Sequence, residues 1–345
     1  MNADETTEKR IDRLQSGGVI DMHFDLPLGL FWNRGRQGIV AQDFLPQLEA
    51  GQASLLGVAA YVEDEHLPDA LRVALDQVAL LHEEIERTPR LMLCKTFAEI
   101  KKARATGRIG LLLTMEGAEP LGDDLNLVRI FYELGLRSIC LTHARENAAA
   151  AGGIFAPTGS PAHGLTDFGR DLVRECERLG IILDLAHINP AGFEEICALT
   201  TRPIIVSHSN ARRFHDIERN ISDEQIKMIG ARGGVIGVNA ILVSPTKEEA
   251  TLDRYVDHIE HVANLIGIDG VAIGFDFCEF ALGLLPAAKR EELEAKLTRP
   301  HYLPDLGNHG HVRNLTRKLI ERGFSDEQIE KILRDNWLRV LRQTL

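Results

Sequence analysis

The sequence predicts an α/β fold, a (β/α)8 TIM-like barrel with a C-terminal helical extension, from two observations. Eight short apolar runs recur along the 345 residues, and amphipathic helical patterns separate most of them. Each run is apolar on both faces, which is typical of parallel strands that are buried on both sides. Alternating strands and helices predict a parallel sheet, and eight such units predict closure into a barrel, with a doubly wound open sheet as the alternative.

The predicted elements alternate along the chain. The strands are residues 19–26, 54–62, 109–117, 138–144, 180–188, 203–209, 234–242 and 270–277. The helices between them are residues 69–87, 125–134, 169–179, 191–199, 222–231 and 252–266. A segment rich in Gly, Pro and Ala at 152–164 predicts a long loop after the fourth strand, and the strand-free interval 280–312 holds one predicted helix at 288–297.

We expect one domain over residues 1–345, with an N-terminal extension at 1–17 and C-terminal helices at 311–345. Length alone suggests about two domains, but single α/β barrels often exceed 200 residues. Ser325 with Gln328 three residues later forms a capping-box pattern, which predicts the start of a helix near the C-terminus.

The charge and the cysteine content of the chain indicate which binding partners and which cellular compartment to expect. The chain has 39 basic and 51 acidic residues, a net charge of −12, which argues against binding to nucleic acid or to an anionic membrane surface. Its five cysteines are scattered without a CxxC pair, a pattern that favours a reducing compartment. Residues 1–17 lack the apolar segment of a signal peptide, and no run is apolar enough to span a membrane. We therefore expect a cytoplasmic protein.

Polar residues end six of the eight predicted strands. The carboxyl ends of barrel strands meet on one face, so these side chains should share one pocket, where each is costly to bury without a partner. Taken singly, His143 could be a hydrogen-bonded core residue, and Glu116 could favour a helix N-terminus. Together they predict a metal centre. The seven residues are His23, Asp25, Glu116, His143, His187, His208 and Asp276.

Imidazole and carboxylate ligands without a thiolate favour zinc, with manganese, cobalt and iron as competitors. Five ligands exceed what one catalytic zinc uses, so we expect two ions with a bridging carboxylate. His23, Asp25 and Glu116 would bind one ion, and Glu116, His187 and His208 the other. Two such ions can hold a shared hydroxide and polarise a carbonyl, which predicts hydrolysis.

Ten segments in unbroken order over residues 19–340 resemble the membrane (renal) dipeptidase family. That family comprises zinc-dependent metallopeptidases with a metal-dependent hydrolase barrel, two zinc ions and dipeptide substrates. The segments are DMHFDLP, LTMEGAEPL, LTHARENA, GLTDFGRDLVRE, LDLAHI, IIVSHSNARR, ERNISDEQI, RGGVIGVN, IGFDF and ILRDNWLRVL.

The resemblance implies a role for each matching residue. The five ligands are those named above, with Glu116 bridging. His143 would bind substrate and stabilise the oxyanion, and Asp276 would be the acid/base aspartate. Arg219 would clamp the substrate carboxylate; without the resemblance it would be interpreted as a solvated or helix-capping residue. A dipeptide is then the expected partner, and a homodimer is the family expectation.

The sequence departs from the family pattern where GGDFDG is usual, because Asp276 here lies within GFDFCE. The residues beside Asp276 therefore differ from the family pattern, and we expect the shape of the pocket to differ as well. Three alternatives stay open: another amide or lactone hydrolase on the same metal site, a non-catalytic binding barrel, and a mononuclear deaminase, which the HxD in place of HxH disfavours.

Several other polar residues have ordinary interpretations. Asp21 and Asp184 lie inside predicted strands, where they could orient ligand histidines or make structural hydrogen bonds. Four loop histidines are expected at the surface: His163, His301, His309 and His311.

Overall fold

The computed structural model describes residues 6–296 and 301–345. Over these residues nine parallel strands form one sheet, which confirms the predicted barrel architecture. The strands are β1 (Val19–Phe24), β2 (Ala53–Tyr61), β3 (Leu91–Leu93), β4 (Ile109–Glu116), β5 (Leu136–Cys140), β6 (Ile182–Asp184), β7 (Ile205–Ser209), β8 (Val235–Val238) and β9 (Val271–Ile273).

The strand order is β1-β2-β4-β5-β6-β7-β8-β9, and each neighbouring pair is parallel. All eight predicted strands are present. The ninth, β3, pairs with β4 outside this path and was not predicted. Its three residues are too few to show a hydrophobic period, so only its pairing defines it as a strand.

The two ends of the sheet meet, so the barrel is nearly closed. The backbone N–H of Asp276, just after β9, donates to the carbonyl of His23 in β1 at 3.3 Å. The N–H of Phe275 donates to the Asp21 carboxylate of β1 at 2.9 Å. These bonds bring the carboxyl end of the last strand against that of the first.

Fifteen α-helices accompany the strands in the described part of the chain. They are α1 (Thr7–Gln15), α2 (Leu26–Trp32), α3 (Leu45–Ala50), α4 (Ala70–Arg87), α5 (Phe97–Ala105), α6 (Asn126–Leu134), α7 (Asp167–Leu179), α8 (Pro190–Leu199), α9 (Asp223–Ala231), α10 (Leu252–Ile266), α11 (Cys278–Gly283), α12 (Ala287–Lys296), α13 (Val312–Glu321), α14 (Asp326–Glu330) and α15 (Asn336–Thr344).

The predicted helices are confirmed, and the predicted loop at 152–164 contains no helix. Residues 1–5 of the predicted extension and residue 297 of the predicted helix 288–297 lie outside the described residues. Local sequence explains several helix starts, because side-chain oxygens there accept a backbone N–H of the first turn. Ser222 with Gln225, and Ser325 with Gln328, form complete capping boxes.

The C-terminal helices and α1 pack together. Gln15 at the end of α1 donates to Thr316 in α13 at 2.8 Å, and Arg10 pairs with Asp326 in α14 at 2.7 Å. Trp337 in α15 is fully buried in a cluster with residues near the strand starts, including Ile20 and Val235. Among the described helices, none combines the length and the apolarity needed to cross a bilayer. All five cysteines are free.

Candidate metal centre and substrate pocket

Three strand-end side chains meet in the first half of the site. His187, just after β6, places its Nε2 atom 2.8 Å from Oε1 of Glu116 at the end of β4. His208 in β7 places its Nε2 atom 3.3 Å from the same oxygen. The two imidazole Nε2 atoms are 3.0 Å apart. One carboxylate oxygen and two nitrogen lone pairs therefore converge on one point.

The second half of the site lies beside the first, because the His23 ring stacks on the His208 ring with centroids 3.5 Å apart. His23 Nε2 is 3.8 Å from Glu116 Oε1, 3.7 Å from Asp25 Oδ1 and 3.8 Å from Asp276 Oδ1. One atom of Glu116, Oε1, thus faces the three imidazoles of His23, His187 and His208. The assignment of Glu116 as a bridge between two ions stays a prediction. The remaining predicted residue, His143, stacks on His187 with ring centroids 4.2 Å apart. The structure brings all seven strand-end residues together.

Burial makes the charged forms of the side chains in this site unfavourable. Burial lowers the pKa of His23 to about 3, with the charge of Arg219 as a second cause. Burial likewise lowers the pKa values of His187 and His208. It raises the pKa values of Asp25 and Glu116 well above their usual range, and repulsion between neighbouring carboxylates adds to this.

The donor set fits a metal centre. His23 Nε2 and Asp25 Oδ1 are buried and have no hydrogen-bond partner in the described chain. Neutral imidazoles offer lone pairs, and clustered carboxylates need a cation to offset their repulsion. Divalent cations would supply that positive charge, and the unpartnered atoms would bind them.

Two residues of the site have a strained backbone. His187 has φ 66° and Asp276 has φ 60°, in the left-handed region that side chains other than Gly seldom adopt. Such strain costs of order 1–3 kcal/mol per residue and persists where surrounding structure enforces it. Here it turns a histidine and an aspartate from the strand ends toward the other site residues.

Buried carboxylates hold the backbone beside these residues. Asp21 accepts from the N–H groups of His23 and Phe275, and Asp184 accepts from those of Ala186 and Ser207. Both therefore make structural hydrogen bonds to the backbone next to the predicted ligands. The His208 imidazole is oriented by another residue, since its Nδ1 lies 2.8 Å from the Ser207 hydroxyl.

The prediction that His309 lies at the surface is wrong. Its side chain is buried, and its Nε2 lies 2.8 Å from Oδ2 of Asp21. Phe24 and Phe277 contact its ring edge-on. No sequence pattern could have shown this contact, because its partners are 288 residues apart. By contrast, His163 and His311 are exposed, as predicted, and His301 is partly buried.

Arg219 is the most unusual cation of the site. It is 2% exposed, and its Nε, Nη1 and Nη2 atoms all lack a hydrogen-bond partner in the described chain. Its backbone is fixed, because its N–H donates to Ile154 in the long loop at 3.0 Å and its carbonyl accepts from the Ser209 hydroxyl at 3.1 Å. A buried guanidinium without partners is poised for an anionic ligand.

A cavity of about 240 Å³ opens above these residues. Its walls include Glu116, His143, His187, Arg219 and Asp276. The cavity is therefore continuous with the predicted metal centre and has the size of a small-molecule site.

Several polar residues in and around this cavity were not predicted from the sequence. Asn239 donates to Asp276 Oδ2 at 2.9 Å and fixes that carboxylate. Arg145 donates to the Tyr61 hydroxyl at 3.0 Å and to Glu119 at 2.8 Å, and Tyr61 contacts His143 with ring centroids 4.7 Å apart. Their loop and strand-end positions carry no spacing signal, because the partners lie on different strands.

Comparison with known proteins identifies the family. The membrane dipeptidase family (peptidase family M19) matches residues 8–303 and 300–345. This chain belongs to the membrane dipeptidase family. It is accordingly a metal-dependent peptidase of the dipeptidase type, which confirms the resemblance seen in the sequence.

Individual relatives agree with this assignment. Dipeptidase verJ of Clonostachys rogersoniana is 29% identical over 98% of this chain and 87% of its own length. Dipeptidase tcpJ of Claviceps purpurea is 29% identical over 87% of this chain and 68% of its own. A crystal structure of a metallopeptidase from Rhodobacter sphaeroides, liganded with a phosphinate mimic of L-Ala-D-Ala, superposes with TM-score 0.82. It is 26% identical and covers 95% of this chain and 99% of that one.

Proposed function

We propose that this member of the membrane dipeptidase family hydrolyses dipeptides with two divalent metal ions, zinc being the favoured metal. His23, Asp25 and Glu116 would hold one ion, and Glu116, His187 and His208 the other. Imidazole and carboxylate donors without a thiolate suit zinc, although they also accept manganese, cobalt or iron. Bound metal ions supply a Lewis acid for the scissile carbonyl and lower the pKa of water.

Asp276 is the proposed general acid/base. Its Oδ1 faces the metal-ligand cluster at 3.8 Å from His23 Nε2, and its Oδ2 is held by Asn239. One oxygen is thereby fixed, and the other is directed toward the reacting atoms. Asp276 would take a proton from the attacking water and deliver it to the leaving amine.

His143 is the proposed donor to the developing oxyanion. Burial and the charge of Arg145 lower its pKa, so its imidazole is neutral and carries one N–H. Its ring is held between His187 and Tyr61, with centroids 4.2 Å and 4.7 Å away, and it lines the cavity. A neutral imidazole held in place can donate a hydrogen bond without reorganising.

The environment of the Arg219 side chain gives this proposal its strongest support. A dipeptide has a free carboxylate close to its scissile bond, and Arg219 is an unpartnered, buried guanidinium in the same cavity as the metal-ligand cluster. Guanidinium binds carboxylate through two parallel hydrogen bonds. The ligand of the Rhodobacter sphaeroides relative mimics a dipeptide with a D-residue at its C-terminus, so L,D dipeptides are substrates to test first.

The test compares dipeptide acids with dipeptide amides in the parent and in Arg219→Lys. Lysine keeps the charge but loses the planar fork, so kcat/KM for the acid should fall roughly ten- to a hundredfold. The amide lacks the carboxylate, so the parent should cleave it poorly and the substitution should barely change that rate.

If the parent and Arg219→Lys each cleave the dipeptide acid and the dipeptide amide with the same kcat/KM, Arg219 does not bind the substrate carboxylate. That result would favour another amide or a lactone as substrate. Metal analysis of the same preparations should find about two ions per chain. A fully active preparation with a single ion would contradict the two-metal proposal.

A further inference from the structure

The cavity wall opposite Arg219 is acidic. Counting along the eight-strand path, β2 and β7 are four strands apart and lie directly across the barrel. Arg219 is held beside the end of β7 through Ser209, and Glu63 follows β2 by two residues. Glu63, Asp64 and Glu65 all line the cavity on this side, together with Arg145, whose guanidinium pairs with Asp64 at 2.8 Å. The acidic residues outnumber this cation, so the wall that faces Arg219 carries negative charge.

Glu63 differs from its two acidic neighbours because no cation of the described chain pairs with it. Asp64 pairs with Arg145 at 2.8 Å, and Glu65 pairs with Lys289 at 3.3 Å. Glu63 is only 9% exposed, and its Oε2 accepts from the Trp32 indole N–H at 2.9 Å. Its Oε1 is buried and has no hydrogen-bond partner among the described residues. Trp32 thus fixes the carboxylate and leaves one oxygen for a ligand.

An apolar surface lies beside this carboxylate. Leu28 and Trp32 from α2, Leu282 from α11 and Leu293 from α12 line the same cavity. A lysine or arginine side chain has the matching form, an aliphatic stem that ends in a cation. The indole ring of Trp32 offers a further favourable contact for such a cation.

The direction of the substrate follows from the two walls. If the C-terminal carboxylate binds Arg219 and the scissile bond lies at the metal-ligand cluster, the first residue of the dipeptide extends toward Glu63. We propose that Glu63, Trp32 and the leucines beside them form a subsite for a basic side chain on the N-terminal residue of the substrate. This inference rests on the proposed function and adds the substrate class to it.

The experiment compares lysyl-alanine with norleucyl-alanine in whichever stereochemistry the parent cleaves. Norleucine has the four-carbon chain of lysine without the ammonium group, and both dipeptides carry the same α-ammonium. The parent should prefer the lysine dipeptide by about tenfold or more in kcat/KM, since a hydrogen bond to a charged group has that effect.

Glu63→Gln should abolish this preference. Glutamine keeps an oxygen that can accept from Trp32, so the subsite stays assembled while its charge is lost. We expect kcat/KM for lysyl-alanine to fall about tenfold, with norleucyl-alanine and the metal content unchanged. Asp64→Asn is the matched control, because Asp64 is the neighbouring acidic residue, is exposed and already pairs with Arg145. Removing its negative charge should leave the preference for lysyl-alanine intact.

Three results would overturn the subsite. They are no preference in the parent, an equal loss on both dipeptides in Glu63→Gln, and an equal effect of Asp64→Asn. An equal loss on both dipeptides would place the α-ammonium against Glu63 instead. If the parent cleaves no dipeptide at all, the proposed function itself has failed, which is a different outcome from dipeptide cleavage without preference for lysine.

Discussion

The two tryptophans of this chain lie at opposite ends of the barrel, in opposite surroundings. Trp337 is completely buried near the strand starts, and its indole N–H donates to the carbonyl of Ile273 at 2.9 Å. Trp32 lies at the carboxyl ends of the strands, where it is partly exposed and donates to Glu63 at 2.9 Å. Trp337 thus fills the core at the end of the barrel where the strands begin, the closed end. Trp32 lines the cavity at the end where the strands finish, the open end.

The polar groups at the two ends follow the same division. At the closed end, Asn336 donates to the carbonyls of Ile268 and Val271 at 2.7 Å, so buried backbone groups there are paired. At the open end, the Arg219 guanidinium has no hydrogen-bond partner among residues 6–296 and 301–345, and His187 and Asp276 have positive φ. Function in a barrel enzyme occupies the carboxyl end of the strands, and stability is provided elsewhere. Substitutions at the two ends should therefore separate activity from stability.

The largest effect is expected at the centre of the open end. Glu116→Gln removes the negative charge and one of the two oxygens of the proposed bridging ligand, so metal should be lost from both positions and turnover with it. His187→Ala should chiefly empty one position. Metal content per chain, measured beside turnover, checks this, and two tightly bound ions in Glu116→Gln would disprove the bridging role.

The same variant also tests whether the open end contributes to the stability of the fold. In metal-free protein, Glu116 is a buried carboxylate repelled by Asp25 and Asp276. Its replacement should leave the metal-free free energy of unfolding unchanged or higher. Denaturant titration of metal-free parent and variant measures this, and a clear loss of stability would show that the open end also stabilises the fold.

Asp276→Asn should retain both metals and yet lower kcat by about 10²–10⁴-fold, as expected for a lost general acid/base. Asparagine tolerates positive φ, so the strained backbone can be kept. The checks are metal content, steady-state kinetics and the unfolding midpoint. Near-parental turnover would move the proton transfer to another residue.

Trp337→Phe tests the closed end. Phenylalanine leaves the Ile273 carbonyl without its donor and leaves a small cavity, so the free energy of unfolding should fall by about 2–3 kcal/mol. The kcat/KM of the folded variant should stay within about twofold of the parent at a temperature where both are folded. Trp32→Phe is the matched control, and it should alter kcat/KM more than stability; the reverse pattern would break the distinction between the two ends.

The last expected effect concerns pH and His258 in α10. Burial lowers the pKa of this histidine from 6.5 to about 4, and its Nδ1 accepts from the Ala211 N–H while its Nε2 lies 2.9 Å from the Val243 carbonyl. The unfolded chain binds a proton near pH 6.5, whereas the folded chain resists it until about pH 4. Between these values the unfolded state holds more protons, so stability falls as pH falls, by at most about 3 kcal/mol from this group.

Unfolding of metal-loaded parent and His258→Gln at several pH values measures this contribution. The parent should lose stability more steeply than the variant between about pH 6.5 and pH 4, and the two should respond alike above about pH 7. Parallel curves through the acidic range would show that His258 does not contribute to the pH dependence.

Much of this molecule could be predicted because its signals are local. Burial on both faces of a strand requires consecutive apolar residues, so all eight barrel strands are visible in the sequence. A His, Asp or Glu that ends such a run stands out, and parallel strands bring these ends together. The seven strand-end residues were therefore found without knowledge of any contact.

Contacts between distant segments were not accessible in the same way. The burial of His309 depends on Asp21, which lies 288 residues away, and the orientation of Asp276 depends on Asn239 from another strand. Strand β3 exists because β4 offers it an edge, and its three residues alone carry no period.

The barrel, the cluster of metal-binding residue types and the membership of a dipeptidase family could be predicted from the amino-acid sequence, because periodicity and polarity act over a few residues. Which charges remain unpaired depends on the folded structure. Whether Arg219 or Glu63 finds a partner depends on every segment that closure of the barrel brings around it. The same closure sets these two residues on facing walls of one cavity, and the substrate direction that we propose rests on that placement.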